Sequence, residues 1–161
     1  MSAKLLMVFV CAAVGMACGF AVNKSYKRNL AYLDGICGLI ADLKRNVAYR
    51  RDPAAEVIIK QAPTSALFKK NIDEYLSYVG SKGGTITLSK GFLTEKIYDG
   101  VCGFFSSLGA ADEAAQLREL EMYESMFSEY RKSASEKSEK YGAVAVKLGF
   151  LFGLCVGVLT L

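Results

Sequence analysis

The sequence predicts an all-α fold: a cytoplasmic helical bundle flanked by an N-terminal and a C-terminal transmembrane helix. Three observations carry that expectation. Apolar residues are concentrated at the two ends of the 161-residue chain. The middle shows apolar residues at helical spacing, and the chain holds only 2 Pro and no extended run of alternating residues. With 52% hydrophobic and 22% charged residues the composition is that of a folding chain, not a disordered one.

The first apolar segment, 5–22, is LLMVFVCAAVGMACGFAV, 18 residues with no charge, Ser or Thr. At about 1.5 Å per residue it reaches roughly 27 Å, enough for a bilayer core of about 30 Å. A cleaved leader is the alternative, since Ala17-Cys18 loosely matches a lipoprotein cleavage site. Gly15 stands three before Cys18, where such sites want an aliphatic residue, and the apolar run continues to Val22 without a polar region. An uncut anchor is the better reading. The last segment, 143–161, carries one charge, Lys147, whose aliphatic stem can extend toward the headgroups. Basic residues follow the first segment (Lys24, Lys27, Arg28) and precede the second (Arg131, Lys132, Lys137, Lys140). The positive-inside rule then places residues 24–141 in the cytoplasm and both termini across a two-pass cell membrane protein.

Within 24–141, Leu33, Ile36, Ile40, Leu43 and Val47 form one stripe on a continuation of the first helix. Asp52-Pro53 opens a short helix to about Gln61, with Asp52 as cap. Thr64 or Ser65 caps the next, which buries Leu67, Phe68, Ile72, Tyr75, Leu76 and Val79. Gly80 to Thr85 reads as a loop, and Thr85 to Leu88 alternates too briefly to make a strand. A helix is expected over Leu88 to Tyr98, with Gly100 and Gly103 punctuating a brief one around Phe104 and Phe105. Asp112 opens a long helix with Leu117, Leu120, Tyr123, Phe127 and Tyr130 on one side, solvated over Ser133 to Lys140 and running into the second span.

The chain has no His, which removes His-ligated zinc and Ser-His or Cys-His nucleophile pairs. None of its 5 Cys forms a C-x-x-C pair, and in a reducing compartment they act as small apolar residues. Glu121 and Glu124 share a helix face, but bundle metal sites of that type recruit His, so a solvated ion-paired face is expected. The glycine-rich loop lacks the GK[ST] of a phosphate cradle. No cofactor, metal, nucleic acid or small-molecule substrate is expected, and no enzymatic activity.

Two features remain as interaction sites. Gly149, Gly153 and Gly157 lie four apart, and Cys11, Gly15 and Gly19 repeat the spacing in the first span. Each is a small-residue face that lets helix backbones approach closely in lipid, on each other or on other subunits. Lys44, Arg45, Arg50 and Arg51 form a basic cluster about 20 helical residues, some 30 Å, past the first span. At that distance solvent or a protein partner is expected in preference to lipid.

The chain resembles the stage III sporulation protein AB family over essentially its whole length. The resemblance rests on Leu108-Gly109-Ala110-Ala111-Asp112 followed by Gln116, on Tyr141-Gly142, and on Lys147-Leu148-Gly149. Gly109 would end one helix and Asp112 would cap the next. Phe92 stands where the family often has a Trp, and residues 52–100 match least. The resemblance implies a part of the channel complex joining mother cell and forespore during endospore formation, in the mother-cell membrane around the forespore. Its soluble domain would be similar to those of the platform proteins of type II secretion and type IV pilus machines. The implied partners are other membrane proteins of the channel and a cytoplasmic secretion-type ATPase. A generic helical adaptor of such a machine, or a pore-lining transport subunit, is the alternative.

Overall fold

The computed structural model describes residues 2–49, 53–81, 86–108 and 113–159. They form five helices: α1 (Ser2–Tyr49), α2 (Ala54–Ile59), α3 (Ala66–Gly80), α4 (Glu95–Ser107) and α5 (Glu113–Leu159). The described residues contain no strand, so the fold is all-α. Packing divides the chain into two compact units, residues 1–30 with 133–161, and residues 31–132.

The central unit is built around α1. Leu33, Ile36, Ile40 and Leu43 are buried as their spacing predicts, and Tyr32 and Leu39 join them to widen the stripe to both flanks. Val47, expected at its end, is only half-buried. Opposite this stripe lie Ile58 of α2, Phe68, Ile72 and Tyr75 of α3, Val101, Phe104 and Phe105 of α4, and Leu120 and Phe127 of α5. Their rings form two clusters: Tyr32 meets Phe68 edge-on at 6.0 Å, and Phe104 meets Phe105 at 5.2 Å and Tyr123 at 5.5 Å. Edge-to-face geometry of this kind adds to the burial of each ring.

The start of α3 is fixed by Ser65, whose Oγ accepts a hydrogen bond from the Phe68 N–H at 3.1 Å. The Phe68 ring then lies on the backbone of α1 at Gly35. A Cβ there would meet Phe68 Cδ1 at 3.0 Å and collide with Thr64 Oγ1. Leu67 and Leu76 are half-buried and Val79 is exposed, so the buried face of α3 is narrower than the sequence predicts. Asn71 takes part of it: its Nδ2 donates to the Tyr32 hydroxyl at 2.7 Å, with both side chains buried.

Several expectations are corrected. Pro53 sits at the N-cap of α2, not in its first turn, and α2 ends at Ile59. Asp52, expected to cap it, lies outside the described residues, as do residues 82–85 of the glycine-rich loop. Gly80 is the last residue of α3 and not part of a loop. The helix expected from Leu88 is absent over Leu88–Thr94. That stretch buries Leu88 and Leu93 in non-helical conformation, with Gly91 at φ +52°, a left-handed geometry that no helix contains and that favours glycine. Glu74 of α3 pins it, accepting from the Ser89 N–H at 2.7 Å and the Ser89 hydroxyl at 2.6 Å. Beyond it, α4 runs unbroken through Gly100 and Gly103. Their missing side chains make room for α5: a Cβ would meet Met126 Cε at 2.9 Å at Gly100 and the Tyr123 hydroxyl at 3.0 Å at Gly103.

Two outcomes follow for the full-length chain in mild detergent. Phe104→Ala removes the ring shared by Phe105, Tyr123 and Phe127, and should cost about 3–5 kcal/mol in denaturant unfolding of the central unit. Burial raises the Tyr32 phenol above its ordinary value of 10.0, and the Asn71 hydrogen bond offsets that only in part. The fold holds the phenol neutral while the unfolded chain ionises, so this contribution is complete below about pH 10 and lost as pH rises beyond it. Far-UV circular dichroism across the alkaline range should show a shallower loss in Tyr32→Phe than in the native chain. An identical slope would remove Tyr32 from the account.

Candidate functional site

The other unit, residues 1–30 with 133–161, is a pair of helical arms from α1 and α5. Both helices contain an 18-residue window long and apolar enough to cross a membrane, and only 11% and 17% of those windows is buried. Phe9 is 74% exposed and Phe152 72%. Side chains of that size on an outward face have a favourable environment in hydrocarbon and none in water.

The inward face is made of small residues, and the two arms meet there at backbone contact. A Cβ on Gly15 would collide with the Gly149 carbonyl oxygen and lie 3.0 Å from Gly153 Cα. On Gly19 it would meet the Ala145 carbonyl oxygen at 2.6 Å and Val146 Cα at 2.7 Å. Gly153 lies against the Cys11 carbonyl and Ala12, and Gly157 against Val8, whose Cα would be 2.9 Å from an added Cβ. The contacts step in opposite directions along the two helices, from Val8–Gly157 through Ala12–Gly153 and Gly15–Gly149 to Gly19–Ala145 and Asn23–Gly142. The arms are therefore antiparallel, and of the six small residues singled out by spacing Cys11 and Gly15 stand opposite Gly153 and Gly149, while Gly19 faces Ala145 and Val146 and Gly157 faces Val8.

Spacing alone left out Val8, Ala12, Asn23, Gly142, Ala145 and Val146, which complete the same interface. Gly142 could have been found, because it stands seven residues before Gly149 and so on the same helix face. There a Cβ would meet Asn23 Oδ1 at 2.5 Å. One turn on, Tyr26 and Tyr141 stand with ring centroids 6.5 Å apart. Along one side of the pair a groove of about 440 Å³ remains, floored by Gly15, Gly149 and Gly153 and rimmed by Val10, Val14 and Phe152.

In the central unit, two members of the expected basic cluster are engaged internally. Lys44 donates to Glu124 Oε2 at 2.6 Å and stands 3.9 Å from Glu121, and the hydrogen bond to Glu124 raises its pKa. The two carboxylates that share a face of α5 thus meet a lysine of α1. Arg45 pairs with Asp42 one turn earlier. Arg45 also lines a cleft of about 360 Å³ between α1 and α2 with Asn46, Tyr49, Val57 and Lys60. Arg50 and Arg51 lie outside the described residues. Further along, Arg131 pairs with Asp34, again tying α5 to α1. Cys37 is half-buried, and burial pushes its thiol up, away from the nucleophilic thiolate.

The glycine-marked turn also has its place. Leu108 leaves α4 with extended backbone (φ −66°, ψ 121°), and Gln116 is half-buried in the first turn of α5. Gly109 and Asp112 fall between them, outside the described residues. Phe92, in the position often held by Trp, is in a turn and not a helix, with its ring edge-on to Tyr32 at 6.3 Å.

Against this geometry, comparison with protein families gives a match to stage III sporulation protein AB over residues 4–161. The chain belongs to the stage III sporulation protein AB family. The match takes in both apolar arms and the central unit, so the whole architecture described above is that of a sporulation protein. No curated protein and no solved structure matches the chain.

The glycine interface makes a graded prediction. Gly149→Leu places a branched side chain where the Gly15 backbone stands, and should destabilise the detergent-solubilised chain by at least about 1–3 kcal/mol, the usual cost of overpacking. Gly80→Ala is the control: a Cβ there meets nothing within 4 Å, and replacing a helical glycine should stabilise by about 0.5–1 kcal/mol. Thermal unfolding followed by circular dichroism distinguishes the two.

Proposed function

We propose that this sporulation protein is a non-enzymatic, two-pass membrane platform subunit of the complex that joins mother cell and forespore. The observation that carries the reading is the antiparallel glycine contact between the first and last helices. It makes one anchor of two distant segments and brings both chain ends to the same end of the pair. At the other end stand Lys24, Lys27 and Arg28 with Lys137 and Lys140, which by the positive-inside rule supports a cytoplasmic central unit.

The central unit supports a docking role. Several of its titratable groups hold its elements together: Lys44 with Glu124, Arg131 with Asp34, Glu74 with Ser89. Its features facing outward are surfaces, among them the α1–α2 cleft beside the fully presented ring of Tyr49, 85% exposed. Arg45 and Lys60 line that cleft, and Arg50 and Arg51 follow in sequence. An acidic segment of a cytoplasmic partner, such as a secretion-type ATPase, is the complement this surface calls for. Because the glycine faces are occupied within the chain, partners in the membrane meet its outer faces.

Topology is the direct test. Single cysteines introduced at Tyr49 and at Leu159, in a chain otherwise free of cysteine, should behave oppositely toward a membrane-impermeant thiol reagent. In intact non-sporulating cells that produce the chain in their outer cell membrane, position 159 should be labelled while position 49 reacts only after the membrane is opened. Labelling of position 49 in intact cells would overturn the platform reading. If the topology holds, Gly153→Leu with Gly157→Leu should reduce recovery of co-purifying channel proteins, while the central unit keeps its hydrogen-exchange protection.

A further inference from the structure

The charge of this protein is divided unevenly between its two units. The chain as a whole carries a net charge of +4. Residues 31–132 hold thirteen basic and fourteen acidic side chains, a net of −1, whereas residues 1–30 with 133–161 hold seven basic and two acidic, a net of +5. All the excess positive charge therefore belongs to the unit with the apolar arms. Apart from Lys4, and Lys147 between the Gly19–Ala145 and Gly15–Gly149 contacts, its basic residues lie on one side of the apolar contacts.

The antiparallel pairing turns this count into a surface. Asn23 stands opposite Gly142 and Tyr26 opposite Tyr141, which marks one level along the pair. Lys24 and Lys27 flank that level on α1, and Lys137 and Lys140 flank it on α5. All four are exposed, and none has a carboxylate partner among the described residues. In the central unit, by contrast, Lys44, Arg45, Lys70, Lys90 and Arg131 all have one. Lys147 is exposed as well, six residues or about 9 Å further along α5 from Tyr141, within range for its stem to extend back to the same level. The two tyrosines are the aromatic residues expected at headgroup depth. Unpaired ammonium groups around a tyrosine pair, at the end of an apolar helix pair, complement phosphate diesters of an anionic bilayer.

We infer that Lys24, Lys27, Lys137 and Lys140, around the Tyr26–Tyr141 pair, form a binding surface for anionic phospholipid headgroups. The inference rests on the membrane reading above and adds headgroup selectivity to it. Each lysine ammonium donates to phosphate oxygens while its stem lies along the helix, so charge, and not a fixed fork geometry, sets recognition.

The test uses the full chain reconstituted in bilayers containing equal amounts of phosphatidylglycerol and phosphatidylcholine with the same acyl chains. Native mass spectrometry counts the lipids retained after release. Retained phosphatidylglycerol should exceed phosphatidylcholine by about tenfold, and K24Q/K27Q/K137Q/K140Q should bring the ratio close to one. The matching arginine variant should keep the preference, which separates lost charge from lost folding. Inorganic phosphate should not displace the retained lipid; displacement would mean a small-anion site and overturn the proposal. Equal retention of both lipids by the native chain would also overturn it. Failure of the membrane reading looks different: the chain would then not float with vesicles of either composition.

Discussion

The structure depends on close approach of two helix backbones in an apolar environment. Inside a bilayer, burying one apolar side chain against another gains little, because lipid is an equally good solvent for it. What remains is dispersion and weak polar contact between surfaces that come unusually near, and only residues without bulk permit that distance. Gly15, Gly19, Gly149, Gly153 and Gly157 supply it along about three turns, and the first and last helices are joined as a result. The central unit is held differently, by a water-excluding core of aromatic and branched side chains in which Tyr32, Phe68, Phe104 and Phe127 are buried. One chain thus uses two packing rules, each suited to its solvent.

Charge follows the same division. In the central unit Lys44 and Arg131 are paired across helices, so that Glu124 and Asp34 each hold an α1–α5 contact together with their cation. Exposed pairs of this kind contribute little stability, but they fix which helix faces which. In the paired arms Lys24, Lys27, Lys137 and Lys140 are exposed and have no such partners among the described residues. The central unit is thus nearly neutral and the paired arms are cationic.

Much of this was legible in the sequence because the signals were local and repeated. Four-residue spacing of glycine needs no tertiary information, and neither does the stripe from Leu33 to Leu43. What stayed hidden were features set by distant residues. Lys44 meets Glu124 across 80 positions, and nothing near Lys44 distinguishes an ion-paired lysine from a docking one. Leu93 and Ile97 are four apart, a spacing a helix can use, yet Glu74 and the left-handed Gly91 hold the first half of the stretch from Leu88 out of helix. Gly100 and Gly103 read as breaks because a glycine in isolation weakens a helix. Here the neighbouring Met126 and Tyr123 occupy the space that their side chains would take. The family motif was recognisable as a pattern between α4 and α5, where Leu108 follows α4 and Gln116 lies in the first turn of α5, while Gly109 and Asp112 fall outside the described residues.

The register of the two arms is the central claim, and proximity within one groove measures it most directly. Val10 and Val156 line that groove, as do Val14 and Phe152. Paired cysteines at 10 and 156, or at 14 and 152, in a chain otherwise free of cysteine, should be bridged within one molecule by a short bifunctional thiol reagent in native membranes. A pair at 10 and 148, two turns out of register, should not. Bridging of 10 to 148 as readily as to 156, or bridging only between separate chains, would contradict the antiparallel glycine contact on which the account is built.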